Sequence, residues 1–156
     1  MPEPTREEAA ALYDEDDRAL VRTIVASKTP GVPRVEEIIA LAKEQGLARI
    51  GVAYCVGADD EAEQLGALLA PHFEVTMVGC KVGGLQNEDL VEGATGAACN
   101  PAGQAKVLND ADTQLNIMLC LCLGHDMIFH KHSAAPVTVL GVKDRVHNHN
   151  AIEALR

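Results

Sequence analysis

One stretch constrains this chain more than any other. Leu115 to Leu123 reads Leu-Asn-Ile-Met-Leu-Cys-Leu-Cys-Leu, an almost unbroken apolar segment. A strand facing solvent on one side alternates apolar and polar residues, whereas a strand buried on both faces does not. Its strictly apolar part, Ile117 to Leu123, is seven residues long, far too short to span a bilayer. The segment therefore predicts the central strand of a sheet covered on both faces.

The flanking sequence agrees. Ala48 to Tyr54, Phe73 to Val78 and Pro136 to Val142 are short apolar runs of strand character. Between them lie helix signals. Asp60 and Glu63 form a capping pair before Leu65, Leu68 and Leu69, and Asn100-Pro101 is a strong helix start. Gly124-His125-Asp126 leads a short helix to about His132, and the tail from Asn150 to Arg156 reads as helical. The loop between Gly79 and Cys99 is rich in Gly and acids. Strands alternating with helices predict an α/β fold: an open, mostly parallel, Rossmann-like sheet of about four strands with helices on both faces.

A helical N-terminal region precedes the sheet. Thr5-Arg6-Glu7-Glu8 is a capping box, and Val35, Ile38, Ile39 and Ala42 repeat at helical spacing up to Gly46. Thr29-Pro30-Gly31-Val32-Pro33 separates them, so residues 1–46 predict two helices joined by a turn. Residues 1–20 carry seven acids and two Arg, half of the net charge of −10, and predict a solvated helical face. The whole chain, 156 residues, reads as one domain: N-terminal helices at 1–46 and a sheet-forming core at 47–156.

Composition excludes several functions. With 13 Lys and Arg against 23 Asp and Glu, a phosphate-backbone partner is disfavoured. No Trp, two Tyr and two Phe leave no aromatic platform for bases. No membrane partner is expected, and the acidic start without an apolar stretch predicts a cytoplasmic protein. A small-molecule substrate stays open, and the oligomeric state is not encoded legibly.

The five Cys are separated by 25, 19, 21 and 2 residues, which fits neither a zinc-finger spacing nor a disulfide framework. Their positions are more telling. Cys55, Cys80 and Cys122 close three expected strands, and Cys99 immediately precedes the helix at Asn100-Pro101. Ligands of open α/β sheets bind beyond the carboxyl ends of the strands, so all four map to one functional rim. Shared placement is what a metal or redox site requires. Cys120 lies two residues before Cys122 on the same strand face, but deeper, and is expected to pack in the core.

Other groups fall near the same rim. Cys99 at a helix start is favoured as a thiolate. His125 and Asp126 follow Cys122, with Asp126 expected to cap the following helix. Lys81, Gly83 and Gly84 follow Cys80, where a tight turn can present amides to a cluster or an anion, and Asn100 adds a polar group. His147 and His149, beyond the last strand, can line the cleft, while His130 and His132 read as helix-surface residues.

Five ordered motifs carry a family resemblance. They are Ala53-Tyr54-Cys55-Val56-Gly57, Cys80-Lys81-Val82-Gly83-Gly84, Cys99-Asn100-Pro101 with Gln104-Ala105, Leu121-Cys122-Leu123-Gly124-His125-Asp126, and Val142-Lys143-Asp144-Arg145. Over roughly residues 35–156 this set resembles a bacterial and archaeal family of predicted metal-binding proteins, domain of unknown function 1847. The resemblance implies that Cys55, Cys80, Cys99 and Cys122 are the shared cysteines and that Cys120 is outside the pattern. Many relatives begin with a cysteine-rich segment; here an acidic helix stands in its place. The resemblance supplies a site and not a reaction.

Three readings follow. The first is metal binding by Cys55, Cys80, Cys99 and Cys122, as Zn2+ or a [4Fe-4S] cluster, with a three-cysteine variant that leaves one position open. The second is a metal-free thiol enzyme with Cys99 or Cys55 as nucleophile, His125 as base and Asp126 or Asp144 as orienting carboxylate. The third is a non-catalytic interaction domain whose cysteines only pack.

Overall fold

The computed structural model describes residues 3–28 and 30–156. Thr29, the first residue of the expected Pro/Gly turn, lies outside the described residues. The chain divides into two compact units, Met1–Gly46 and Leu47–Arg156.

The first unit holds three helices, α1 (Arg6–Ala11), α2 (Glu15–Ser27) and α3 (Arg34–Glu44). Two were expected from the sequence. The extra break comes at Asp14, whose carboxylate accepts the Asp17 amide at 2.9 Å while Asp17 accepts the Asp14 amide at 3.2 Å. The acidic group reads as a charged face, but its first member is a cap, and a cap starts a new helix. Asp14 to Asp17 are all exposed.

The second unit runs β1 (Arg49–Tyr54), α4 (Asp59–Leu69), β2 (Glu74–Gly79), α5 (Pro101–Asp110), β3 (Leu115–Leu121), α6 (His125–His132) and β4 (Val137–Val142). The strands pair in the order β2-β1-β3-β4, and every pair is parallel. All seven residues of β3 are buried, and it pairs with a strand on each side. The apolar run is therefore the central strand, as burial on both faces demands.

Helices cover both faces. Val52 pairs with Met77, so both point the same way, and a methyl built at Gly66 of α4 would sit 2.6 Å from the Met77 sulfur. A methyl at Gly51, on the opposite face from Val52, would meet Leu108 of α5 at 2.9 Å. Thus α4 lies on one face and α5 on the other, with α6 packed beside α5.

Several boundaries differ from the sequence reading. Helix α4 is preceded by a 3-10 turn over Val56–Ala58, so Asp60 lies within its first turn and Glu63 further along it, and neither caps it. The C-terminal tail is a 3-10 segment, Ala151–Leu155. Strand β3 stops at Leu121, two residues before the expected end; within it Cys120 takes a left-handed backbone (φ 55°), and the register with β4 shifts on either side of Leu119. A regular strand puts residues i and i+2 on one face; this bulge ends that rule before Cys122. Cys120 itself is buried.

Candidate thiol and metal site

Each parallel strand hands over to one reactive or charged residue at the same edge of the sheet. Tyr54 is followed by Cys55, Gly79 by Cys80, Leu121 by Cys122 and Val142 by Lys143. From β1 the chain moves to β2 on one side, then crosses back to β3 on the other. The direction reverses between β1 and β3, the point where open α/β sheets form a crevice.

Two of the thiols, Cys80 and Cys99, are in contact. The Cys99 thiol donates to the Cys80 sulfur at 3.6 Å, and the Val56 amide donates to the same sulfur at 3.5 Å. One residue on, the Gly57 amide donates to the Cys55 sulfur at 3.4 Å. The turn after β1 therefore aims two consecutive amides at two sulfurs. Cys55 and Cys80 are buried, and Cys99 is half-buried. Burial is the main force that pushes the Cys80 thiol up to about 11; the Val56 amide opposes it, and neighbouring Cys99 and Cys55 add to the rise.

The loop joining Cys80 to Cys99 is bonded shut at its base. The Asn100 amide donates to the Cys80 carbonyl at 2.7 Å, and the Lys81 ammonium donates to the Ala97 carbonyl at 2.8 Å. Asn100 also donates from its side chain to the Val82 carbonyl at 3.1 Å and accepts the Gly103 amide at 2.8 Å, which caps α5. Gly83 and Gly84 both have left-handed backbones (φ 80° and 66°), the conformation a tight reversal after Cys80 requires and a Cβ would resist. Of the residues expected to bind a cofactor, Lys81, Gly83, Gly84 and Asn100 thus build the loop that holds the two sulfurs.

Cys122 has a different neighbour. The Arg145 guanidinium donates to its sulfur at 3.6 Å. From the end of β4, Lys143 donates to the Gly57 carbonyl at 3.4 Å, reaching from the last strand to the turn after β1. Between these cations, Asp144 faces inward into its own turn. It accepts the Val146 and His147 amides at 2.9 and 3.0 Å, and its other oxygen lies 3.1 Å from the His147 ring. These bonds, led by the His147 amide and ring, hold the Asp144 carboxyl below the usual carboxylate range. The His149 ring accepts the Asp144 amide at 3.2 Å. Both histidines are therefore fastened within the 144–149 turn.

The remaining expected groups are scattered in their roles. His125 opens α6 half-buried, with its backbone amide on the Cys122 carbonyl at 3.0 Å. Among the described residues its ring makes no hydrogen bond. Asp126 accepts the Met127 amide at 2.8 Å, but the residue at the cap position is Gly124 (φ 84°), so Asp126 is not the cap expected. The thiol of Cys99 meets Cys80 and not an imidazole. His130 and His132 are exposed. Among the described residues, no group of three or more His, Cys, Asp and Glu side chains is arranged to hold a metal ion.

Two contributors were not singled out from sequence. Arg145 and Gln104 were visible only as parts of motifs. Gln104 is fully buried in α5, where its carboxamide binds main-chain carbonyls of β1 and β2. A polar residue four positions after Asn100, amid the buried side of a helix, is the signal that marks it.

The pattern of the family described as protein of unknown function (DUF1847) matches residues 2–140. The chain belongs to this family. Its relatives include an uncharacterised protein of Methanocaldococcus jannaschii, 45% identical over 127 residues that cover 78% of this chain and 66% of the relative. The chain thus spans just under two thirds of that relative's length. No solved structure matches it. Among the described residues, no helix is long and apolar enough to cross a membrane.

Proposed function

We propose that this family member binds a single thiophilic metal ion, with zinc the best fit, through Cys80 and Cys99, with Cys55 as the next ligand. The observation that carries this reading is the 3.6 Å separation of the Cys80 and Cys99 sulfurs. Two thiolates on one tetrahedral zinc, with Zn–S bonds near 2.3 Å, stand about 3.8 Å apart. Thiolates on different irons of a [4Fe-4S] cluster stand farther apart, so the pair suits one ion better than a cluster.

The surroundings support the same chemistry. The amides of Val56 and Gly57 point at sulfur, and such donors stabilise thiolate ligands. The paired thiols of Cys80 and Cys99 resist ionising together, and a dication removes that obstacle by displacing their protons. Cys122, paired with Arg145, is left outside the ligand set, so the site keeps a fourth position open to a small molecule.

The test is elemental analysis of reduced protein purified without oxygen. About one zinc per chain is expected from a single tetrahedral site, without the brown colour of a cluster. Cys99→Ser and Cys55→Ser should lose it, and Cys122→Ser should retain it. Metal-free wild-type protein after zinc loading, or full retention in Cys99→Ser, would sink the proposal.

A further inference from the structure

We infer that Cys80 and Cys99 are a redox-active dithiol that closes to a disulfide by exchange with a small-molecule disulfide, Cys99 attacking and Cys80 resolving. The inference concerns the reduced, metal-free pair: zinc held by the same two thiolates would block it, and the two readings are tested on separate samples.

Proximity is built into the backbone. The Asn100 amide on the Cys80 carbonyl fixes the main chains side by side, and Lys81 to Ala97 adds a second tie. A third comes from the backbone bond of Ala98 to Leu85 at 2.8 Å, beside the isolated antiparallel bridge of Gln86 with Ala97. These ties bring the sulfurs to 3.6 Å without a covalent bond. Closure to the disulfide length of about 2.05 Å then shortens a contact the two sulfurs already make. A reaction between groups held this close is intramolecular, and gains accordingly over exchange with free thiols.

Exposure sets the order of events. Cys80 is only 3% exposed, whereas Cys99 is half-buried at the start of α5. An external disulfide therefore reaches Cys99 first. Its sulfur attacks one sulfur of the reagent, the reagent's S–S bond breaks, and one thiol leaves with the proton that Cys99 gave up. Cys80 next attacks the Cys99 sulfur of this mixed disulfide, and the second thiol leaves with the Cys80 proton. In sum, one dithiol and one small disulfide become one protein disulfide and two small thiols. Two protein sulfurs are oxidised and two reagent sulfurs are reduced. Cys122 has no thiol partner among the described residues and takes no part.

The experiment uses metal-stripped, fully reduced protein treated with glutathione disulfide, followed by thiol counting and peptide mapping. Wild-type protein should lose two of its five free thiols and yield a linked peptide pair carrying Cys80 and Cys99. Cys80→Ser should stop at a mixed disulfide with glutathione on Cys99. Cys99→Ser should form no internal link, and Cys122→Ser should link as wild type. Circular dichroism checks each variant's fold; if Cys80→Ser does not fold, the other two variants decide. Five thiols remaining in wild type, a link between any other pair, or a lasting mixed disulfide in wild type would overturn the inference. Zinc content is measured on separate reduced samples. Linkage without zinc binding ends only the metal reading, and zinc binding without linkage ends only this one.

Discussion

The side-chain amide of Gln104 donates to the Val78 carbonyl at 2.8 Å, and it reaches the Tyr54 carbonyl at 3.0 Å as well. Val78 lies two residues before Cys80, and Tyr54 immediately precedes Cys55. Gln104 belongs to α5, the helix that follows Cys99. One buried carboxamide therefore ties together the three segments that carry the neighbouring thiols. Gln104→Leu keeps the volume but leaves two carbonyls without this donor, at a cost of about 1–3 kcal/mol. Gln104→Glu should cost more, because a carboxylate would face those carbonyls. Urea unfolding of the reduced proteins checks both, and the rate of Cys80–Cys99 linkage should fall in each variant that folds.

The fold was legible where burial leaves a pattern. Leu115 to Leu121, apolar apart from Asn116, is buried along its whole length, and that read through directly to its inner place in the sheet. So did Asn100-Pro101, whose cap needs only local chemistry. The missed features are those that local pattern does not encode. Asp14 looks like any other member of an acidic run until its backbone turns. Cys120 looks like a regular strand residue, since nothing local announces its positive φ. At the rim, the strand-end rule placed the cysteines along one edge, but edge position is not contact. Whether a side chain meets Cys80, as Cys99 does, or Arg145, as Cys122 does, depends on how the loops return over the sheet.

A second buried contact sets a limit on the sheet. A methyl at Gly51 would collide with the carboxamide oxygen of Asn116 and press on Leu108. That oxygen is already engaged, accepting from the Thr113 hydroxyl at 2.8 Å, while the Asn116 amide donates to Ser133 at 2.8 Å. Gly51→Ala should therefore destabilise the protein by about 1–3 kcal/mol, the usual cost of overpacking. Asn116→Ala alone should also destabilise, by breaking the Thr113 and Ser133 bonds. Because the two changes share one space, the double variant should lose less than the sum. Thermal or urea unfolding of the four proteins gives the coupling.

The Cys80 thiol gives a pH dependence of definite sign. Its folded value, raised to about 11 chiefly by burial, exceeds its value in the unfolded chain, near the ordinary thiol range. Below that ordinary range both states hold the proton and the group has no effect. As pH rises through it, the unfolded chain releases the proton while the folded one keeps it, so stability falls until the folded thiol also ionises. Reduced, metal-free wild-type protein should therefore lose stability between about pH 9 and pH 11 more steeply than Cys80→Ala. Equal slopes in alkaline unfolding series would contradict this.

The turn after β4 depends on Asp144. Its carboxylate holds the Val146 and His147 amides, its amide bonds the His149 ring, and the His149 amide returns to its carbonyl at 2.8 Å. Asn148 and His149 take left-handed backbones (φ 49° and 66°), which Asn and His adopt more readily than most residues but less readily than glycine, and which the Asp144 bonds hold in place. Asp144→Ala removes the carboxylate acceptor of this turn. The amides of Val146 and His147 should then exchange with deuterium about tenfold faster or more, while those of β3 keep their protection. Acid should act the same way on wild-type protein. The carboxyl is held below its ordinary range, so its contribution is present above that range and is lost as pH falls through the folded value. Lys143 and Arg145 hang from the two sides of Asp144, so the hydrogen bonds to Gly57 and Cys122 should weaken with the turn. Faster alkylation of Cys122 in Asp144→Ala, with Cys80 unchanged, is the expected reading; equal rates in both proteins would show that the turn does not position Arg145.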